Sequence, residues 1–346
     1  MSVIHKGGVV LISRVLIVGL GSIGKRHLRL AREQLPDADI RVLRHKPCNL
    51  VPEGANGCFL NIEEAVAFEP QLAVIASPAT LHVDVAQVLA SKGVHLLVEK
   101  PLSAALDGIP QLLETCRVQK SVLQTGYNLR FLPSLLEFRD LLKVESIGRL
   151  LSVRCEVGQY LPSWRPDSDY KKGVSACREL GGGVLLELSH ELDYMRWIFG
   201  EVEWVKAHLS RQSSLEIDVE DTAHLILGFN PDDGGHQLIG SVGLDFVRHD
   251  NTRICTVIGE KGSLRWNGLT GVVDLFEVGA KVWREIFRHQ HQSDESYQAE
   301  WVHFLSCITT QVKPLISGED GLKVLQIIEA AKQASELGRQ VQVAMK

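Results

Sequence analysis

The segment Gly181–Gly200, GGGVLLELSHELDYMRWIFG, carries an acid, an imidazole and two aromatic rings at helical spacing. The pattern predicts one long helix entered through three glycines. Leu185, Leu188, Leu192, Met195 and Phe199 repeat at three and four, which makes an ordinary core stripe. Glu187, His190, Tyr194 and Trp197 form a second stripe, with Asp193 beside it. A helix back that faced only water would be uniformly charged, so this stripe is expected to line a cleft. The residue types fit removal of a proton from an alcohol as hydride leaves. That reaction needs a base, a positive group for the developing alkoxide, and a hydride acceptor. His190 suits the base, because its reference pKa lies near neutrality. Glu187 would orient its ring, and Asp193 would bind a substrate hydroxyl or orient the cation. Lys100 supplies the cation or relays the proton. It stands in Glu99-Lys100-Pro101, directly after the apolar run Val94–Val98, where a charged pair is costly unless partnered or used.

The hydride acceptor is legible near the start of the chain. The apolar run Arg14–Gly19 leads into Gly19-Leu-Gly21-Ser-Ile-Gly24 and then into KRHLRLAREQL, which reads as a helix. Gly-x-Gly-x-x-Gly between a strand and a helix is the fingerprint of a dinucleotide site. Gly19 makes the turn, Gly21 lets a pyrophosphate approach the backbone, and Gly24 lets helix pack on strand. Ser22 and Ile23 begin the helix whose free N–H groups face the phosphates. The next strand, Ile40–Leu43, ends in Arg44-His45-Lys46, where NAD-binding folds carry an acid for the ribose 2′-hydroxyl. An arginine there pairs with a 2′-phosphate, so NADP(H) is the expected cofactor, with NAD(H) the alternative. Glu53 lies beyond Pro47 and Pro52, too far along to substitute. Ser77-Pro78-Ala79-Thr80 follows the strand Leu72–Ala76, with Thr80 expected to cap the next helix and the turn placed to meet the nicotinamide.

Strands in the first third are continuous apolar runs alternating with helical segments, as a doubly wound parallel sheet covered on both faces requires. Residues 1–130 are therefore read as an α/β dinucleotide-binding domain. Residues 131–317 read as an α+β substrate domain with a large open, mainly antiparallel sheet. Val242, Leu244 and Phe246 alternate as in a half-buried strand, and 231–235 and 259–262 are turns. A C-terminal helix within 318–346 is expected to pack back on the first domain. The loop Gly158–Leu180 carries Tyr160, Trp164, Arg165, Asp167, Asp169 and Tyr170. Aromatic rings mixed with charges suit sugar recognition, so Tyr160, Trp164, Arg165 and Tyr170 are candidate substrate contacts. The same aromatics would also serve as a cover over the core.

At 346 residues the chain is long enough for two domains, and its net charge of −5 offers no basic patch for nucleic acid or an anionic membrane. The apolar stretch 9–23 is broken by Ser13 and Arg14 and falls short of a membrane span. Seven cysteines stand singly, so free thiols in a reducing cytoplasm are expected. Glu187 and His190 lack an evident third ligand, and His289 and His291 read as surface residues, so no metal site is expected. No Gly-x-Ser-x-Gly supports a serine nucleophile.

GLGSIG at 19–24, ASPATLH at 76–82, EKP at 99–101, TGYNLRF at 125–131 and SGEDGLKVLQIIEAA at 317–331 together resemble the Gfo/Idh/MocA family. The resemblance runs from about residue 13 to 343. It implies a two-domain, nicotinamide-dependent oxidoreductase acting on a secondary alcohol or ketone of a sugar, polyol or nucleotide sugar. It also implies that Lys100 touches substrate or is catalytic, that His82 and Glu99 belong to the cofactor site, and that Asn128 belongs to the substrate site. A homodimer or homotetramer built through the second sheet is a further implication. Relatives carry Asp-x-x-x-His on the helix, whereas here Glu187 precedes His190 by three residues. That departure puts the acid's role in doubt more than the histidine's. Two competing readings are a redox-neutral NAD-using glycosidase of the same family and a non-enzymatic cofactor sensor. The second predicts loss of the Lys/His pair, and both Lys100 and His190 are present.

Overall fold

The computed structural model describes residues 12–45, 50–166 and 168–344; Lys46 and Asp167, named above, lie outside the described residues. The chain divides into two compact units. The first runs to Tyr127 and takes up Tyr297–Leu322; the second comprises Asn128–Ser296 and the chain from Lys323.

The first unit alternates β1 (Arg14–Val18), α1 (Ser22–Gln34), β2 (Asp39–Leu43), β3 (Gly57–Phe59), α2 (Ile62–Ala67), β4 (Leu72–Ile75), α3 (His82–Ala90), β5 (His95–Glu99), α4 (Ile109–Gln119) and β6 (Leu123–Gly126). Its six strands form one parallel sheet in the order β3-β2-β1-β4-β5-β6. Val15, Leu16 and Ile17 of β1 are all fully buried, as are Leu72 to Ile75 of β4. This is why these strands are apolar without alternation: both faces of the sheet are covered.

The second unit opens with α5 (Pro133–Lys143) and β7 (Leu150–Gly158). Two short helices follow, α6 (Val184–Glu187) and α7 (His190–Phe199). The strands β8 (Val202–Ser210), β9 (Thr222–Phe229), β10 (Ile239–Asp245), β11 (Thr252–Gly259), β12 (Gly262–Asn267), β13 (Val272–Glu277) and β14 (Arg284–Arg288) come next. The chain ends in α8 (Glu295–Thr310), α9 (Gly318–Leu337) and β15 (Val341–Gln342). The sheet has nine strands, ordered β14-β13-β12-β11-β7-β10-β9-β8-β15. All neighbours are antiparallel except β7 and β10, which run parallel. The turns expected at 231–235 and 259–262 join β9 to β10 and β11 to β12. The loop 158–180 is not bare: Leu161–Ser163, Tyr170–Lys172, Val174–Ala176 and Arg178–Leu180 each make a single 3₁₀ turn.

The unit boundaries differ from the expected 130 and 317, and the helix in the first core is α8. Trp301, Phe304, Cys307 and Ile308 share one face of α8 and pack with Val15, Ile17, Leu28 and Leu30. The closing helix α9 crosses from one unit to the other at Leu322. Its later turns are tied to the second unit by Lys323 Nζ, which donates to Glu201 at 2.7 Å, and by Ser335 Oγ, which accepts from Leu209 N at 2.9 Å.

Candidate active site

In the first unit the dinucleotide fingerprint stands where its chemistry needs it. The turn 19–21 joins β1 to α1 at the carboxyl edge of the sheet. A Cβ on Gly24 would lie 2.2 Å from the Gly19 carbonyl oxygen, so only glycine allows this closeness of helix and turn. Above Gly21 the space is open, with nothing within 4 Å of a built Cβ. The head of α1 has no side-chain cap and no acidic residue in its first turn. Its first N–H groups and its positive dipole end are therefore available to an anion. Arg44 follows β2 immediately, and Gly19 N donates to Leu43 O at 2.9 Å, so Arg44 and His45 continue the strand that borders the glycine turn. After β4, the Ser77 hydroxyl is buried and lacks a hydrogen-bond partner. A polar ligand group would satisfy it. These features fit a nicotinamide dinucleotide.

Two expectations near this edge need correction. Thr80 does not cap α3. It lies inside a 3₁₀ turn, Ala79–Leu81, and the residue before α3 is Leu81, without a side-chain cap. His82 is fully engaged within the protein. Its two ring nitrogens lie 2.8 Å from Ser77 O and 3.1 Å from Pro101 O, and burial lowers its pKa. The ring clips the turn after β4 to the loop after β5.

Sequence reasoning missed the relay that holds Lys100. Trp301 Nε1–H donates to His27 Nδ1 at 3.0 Å, and His27 Nε2 meets Glu99 Oε1 at 2.7 Å. An indole only donates, so His27 Nδ1 accepts and the ring's proton sits on Nε2, directed at Glu99. The other oxygen, Glu99 Oε2, accepts from the Lys100 backbone N–H at 3.0 Å. Burial pushes the Glu99 carboxyl up, but the hydrogen bond from His27 and the Lys100 charge outweigh it and hold it below its ordinary value. Glu99 is thus an ionised, internally satisfied anchor for the backbone that presents Lys100. Only His27's place on the inner face of α1 hinted at this.

Glu300 of α8 is completely buried, and both of its carboxyl oxygens lack partners. Burial, reinforced by the Glu99 charge, pushes its carboxyl well above the ordinary value of 4.5. The folded state therefore keeps a proton that the unfolded chain has released. That contribution to stability is complete below the unfolded pKa and is lost as pH rises toward the folded one. Glu300→Gln removes the titration at nearly constant volume. Between about pH 5 and pH 8 the denaturant midpoint of the wild type should fall relative to that of the variant. A pH-independent difference would show that Glu300 is not held protonated.

In the second unit the expected long helix is two. Leu188 and Ser189 interrupt it, with Ser189 Oγ donating to Leu186 O at 2.9 Å. A serine that bonds back to the preceding turn competes with the helical ladder. Glu187 thus ends α6 and His190 begins α7, so the two do not share one wheel. The glycine entry is a steric requirement: Gly183 has φ +108° and a Cβ there would lie 2.4 Å from Glu220 Oε1. Glu187 accepts from Ser175 Oγ at 3.0 Å. His190 is half-buried at the head of α7.

The rest of the supposed second stripe is structural. Tyr194 is fully buried, its hydroxyl 2.9 Å from Cys155 Sγ and its ring edge-on to Trp266. The Arg139 guanidinium sits 4.0 Å from the centroid of Trp197, and that of Arg130 sits 5.4 Å away. Asp193 is corrected from a substrate contact to half of a buried ion pair. Its two oxygens take Arg130 Nε at 2.9 Å and Arg130 Nη2 at 2.6 Å. Neighbouring Glu191, fully buried, is paired to Arg253 Nε at 2.8 Å. The core stripe holds, with Leu185, Leu188, Leu192 and Met195 buried.

Among the proposed substrate contacts, Asn128 donates through Nδ2 to Ser296 Oγ at 2.7 Å and is buried, which suits a brace. Trp164 packs edge-on against Phe246 and donates to Gln159 O, so it behaves as a cover over the core. Tyr160 meets His249 in a tilted ring contact with centroids 4.3 Å apart, Tyr170 accepts from Glu216 N at 3.3 Å, and Arg165 is exposed. Contrary to the surface reading, His289 and His291 are half-buried and converge with Glu295.

Comparison with known proteins agrees with this architecture. Residues 13–127 match the family model for the NAD-binding Rossmann fold of the Gfo/Idh/MocA oxidoreductases, and residues 139–343 match that family's C-terminal alpha/beta domain. Myo-inositol 2-dehydrogenase of Thermotoga maritima is 26% identical, over 95% of this chain and 98% of its own. The rhizopine catabolism protein MocA of Rhizobium meliloti is 29% identical over 54% of this chain, and the match spans 57% of its length. Among solved structures, levoglucosan dehydrogenase in complex with NADH superposes with a TM-score of 0.83. That match covers 96% of this chain and 100% of the other at 21% identity, a likeness of fold. With both domain models matched in order and the glycine fingerprint at the edge of the parallel sheet, the chain belongs to the Gfo/Idh/MocA family of oxidoreductases.

Proposed function

We propose that this oxidoreductase transfers hydride between a nicotinamide dinucleotide and a secondary alcohol or ketone of a sugar, polyol or nucleotide sugar. The observation that carries the reading is Lys100, held through Glu99 and His27 at the carboxyl edge of the sheet whose β1 ends in the glycine turn. When bound, the nicotinamide supplies the hydride acceptor. Lys100 stabilises the developing alkoxide, and His190 takes the hydroxyl proton, supported by Glu187. The substrate class rests on the dehydrogenases of inositol and levoglucosan among the similar proteins. The test is a panel of polyols, sugars, sugar acids and nucleotide sugars, followed by the absorbance of reduced nicotinamide. At least one should give turnover with NAD⁺ or NADP⁺, and a uniformly silent panel would count against the reading.

Within that function, Arg44 and His45 support a preference for NADP(H) over NAD(H), because no acid follows β2 and a guanidinium pairs with a 2′-phosphate. NADPH should raise the melting temperature more than NADH does, and Arg44→Ala should remove the difference. An equal or larger shift with NADH in the wild type would refute the preference. Cys116, Cys155, Cys177, Cys255 and Cys307 are free thiols, which supports a reducing, cytoplasmic setting. Among the described residues no helix is long and apolar enough to cross a membrane. The open face of the large sheet, with Ile226 44% exposed between His208, His224 and Arg154, supports a homodimer or homotetramer assembled through it.

A further inference from the structure

The sequence hides a constellation that the fold assembles. His289 N still donates to Gly271 O at 2.9 Å, extending the ladder of β14, while Glu295 opens α8. Just past the end of β14, the rings of His289 and His291 come together, their centroids 5.7 Å apart. One nitrogen of each ring and one carboxylate oxygen of Glu295 all lie within 4.8 Å of one another. His289 Nε2 stands 2.9 Å and 2.8 Å from the two Glu295 oxygens.

His291 points to a missing ligand. Its Nδ1 is buried and has no hydrogen-bond partner. Its Nε2 lies 3.2 Å from Ser134 Oγ, which already accepts from Trp266 Nε1–H at 3.0 Å. A serine oxygen has two lone pairs, so it can hold the Nε2–H of a histidine whose other nitrogen binds a metal. Metal-bound histidines are regularly fixed in this way. A buried ring nitrogen without a partner costs free energy that a cation would recover.

We propose that His289, His291 and Glu295 form a divalent-cation site of the zinc class, separate from the nicotinamide chemistry. Two imidazoles and one carboxylate match zinc, whereas calcium and magnesium take oxygen shells. Bonds of about 2.0–2.1 Å in tetrahedral geometry would set the donors about 3.3 Å apart, a little beyond the 2.8 Å between His289 Nε2 and Glu295 and within the 4.8 Å that bounds the group, and would leave a fourth position for water. The site would fasten the end of β14 to the first turn of α8.

The test uses the full chain stripped with chelator and titrated with zinc sulfate by calorimetry, with magnesium chloride as control. Cobalt(II) is the spectroscopic probe. The wild type should bind one zinc per chain with micromolar or tighter affinity and show intense tetrahedral cobalt bands. His289→Gln, His291→Gln and Glu295→Gln should each weaken zinc binding by about tenfold or more, with magnesium inert. Because His291 and Glu295 help pack the segment, half-exposed His289 is the decisive variant. Absence of zinc binding in the wild type, or equal binding in His289→Gln, would overturn the proposal.

Discussion

Lys100→Ala and His190→Ala are each expected to lower kcat by about a hundredfold or more, while affinity for the nicotinamide dinucleotide changes by about twofold or less. The asymmetry follows from what each residue is built on. In the proposed site the dinucleotide would be held by the glycine turn, the uncapped head of α1 and the edge at Ser77, none of which needs the Lys100 ammonium. The Lys100 backbone is fixed independently of its side chain, because its N–H is taken by Glu99 Oε2. Truncation therefore removes a positive charge and leaves the loop standing. Lys100→Arg keeps charge but not shape or pKa, and should recover only part of the loss. For His190 the loss is that of the proposed base itself, and Glu187→Gln should cost less than His190→Ala. A kcat near wild type in either alanine variant, with the variant folded, would remove that residue from the mechanism.

The largest structural effect is expected at the Arg130–Asp193 pair. The two side chains are 2% and 1% exposed, and the guanidinium is bidentate on the carboxylate. Removing one partner strands a charge where water cannot reach it, which costs about 3–5 kcal/mol. Arg130→Met and Asp193→Leu should each lower the melting temperature sharply, whereas the double variant should recover much of the loss because no charge remains buried. Since Asp193 lies one turn after His190 on α7, Asp193→Asn should also lower kcat through misplacement of that helix. Additive losses in the double variant would show that the pair is not the unit of stabilisation.

Much of this was legible in the sequence, for identifiable reasons. The parallel sheet was readable because burial on both faces forces apolar runs such as Val15–Val18 and Leu72–Ile75. The fingerprint was readable because Gly24 has no alternative beside Gly19 O. The helix at 184–199 was legible as a core stripe but not as two helices, since Ser189 breaks it through a local hydrogen bond that periodicity does not register. Asp193, Tyr194 and Trp197 looked like lining because a wheel shows spacing and not partners. Arg130 and Cys155, remote in sequence, claim the first two, and Arg139 shares the third with Arg130. The same blindness hid the Trp301–His27–Glu99 relay, whose members are separated by 274 and 72 residues. It also hid the meeting of His289, His291 and Glu295, where a bend between β14 and α8 brings the acid back.

The most direct test of the central claim is stoichiometric. With a substrate found in the panel and oxidised dinucleotide in excess, the reduced nicotinamide released is measured against the keto product formed. Net hydride transfer predicts one reduced nicotinamide per product, over many turnovers, with the ratio unchanged as substrate is raised. Product accumulating with no net reduced nicotinamide, the cofactor remaining bound, would contradict it and identify a redox-neutral enzyme on the same fold.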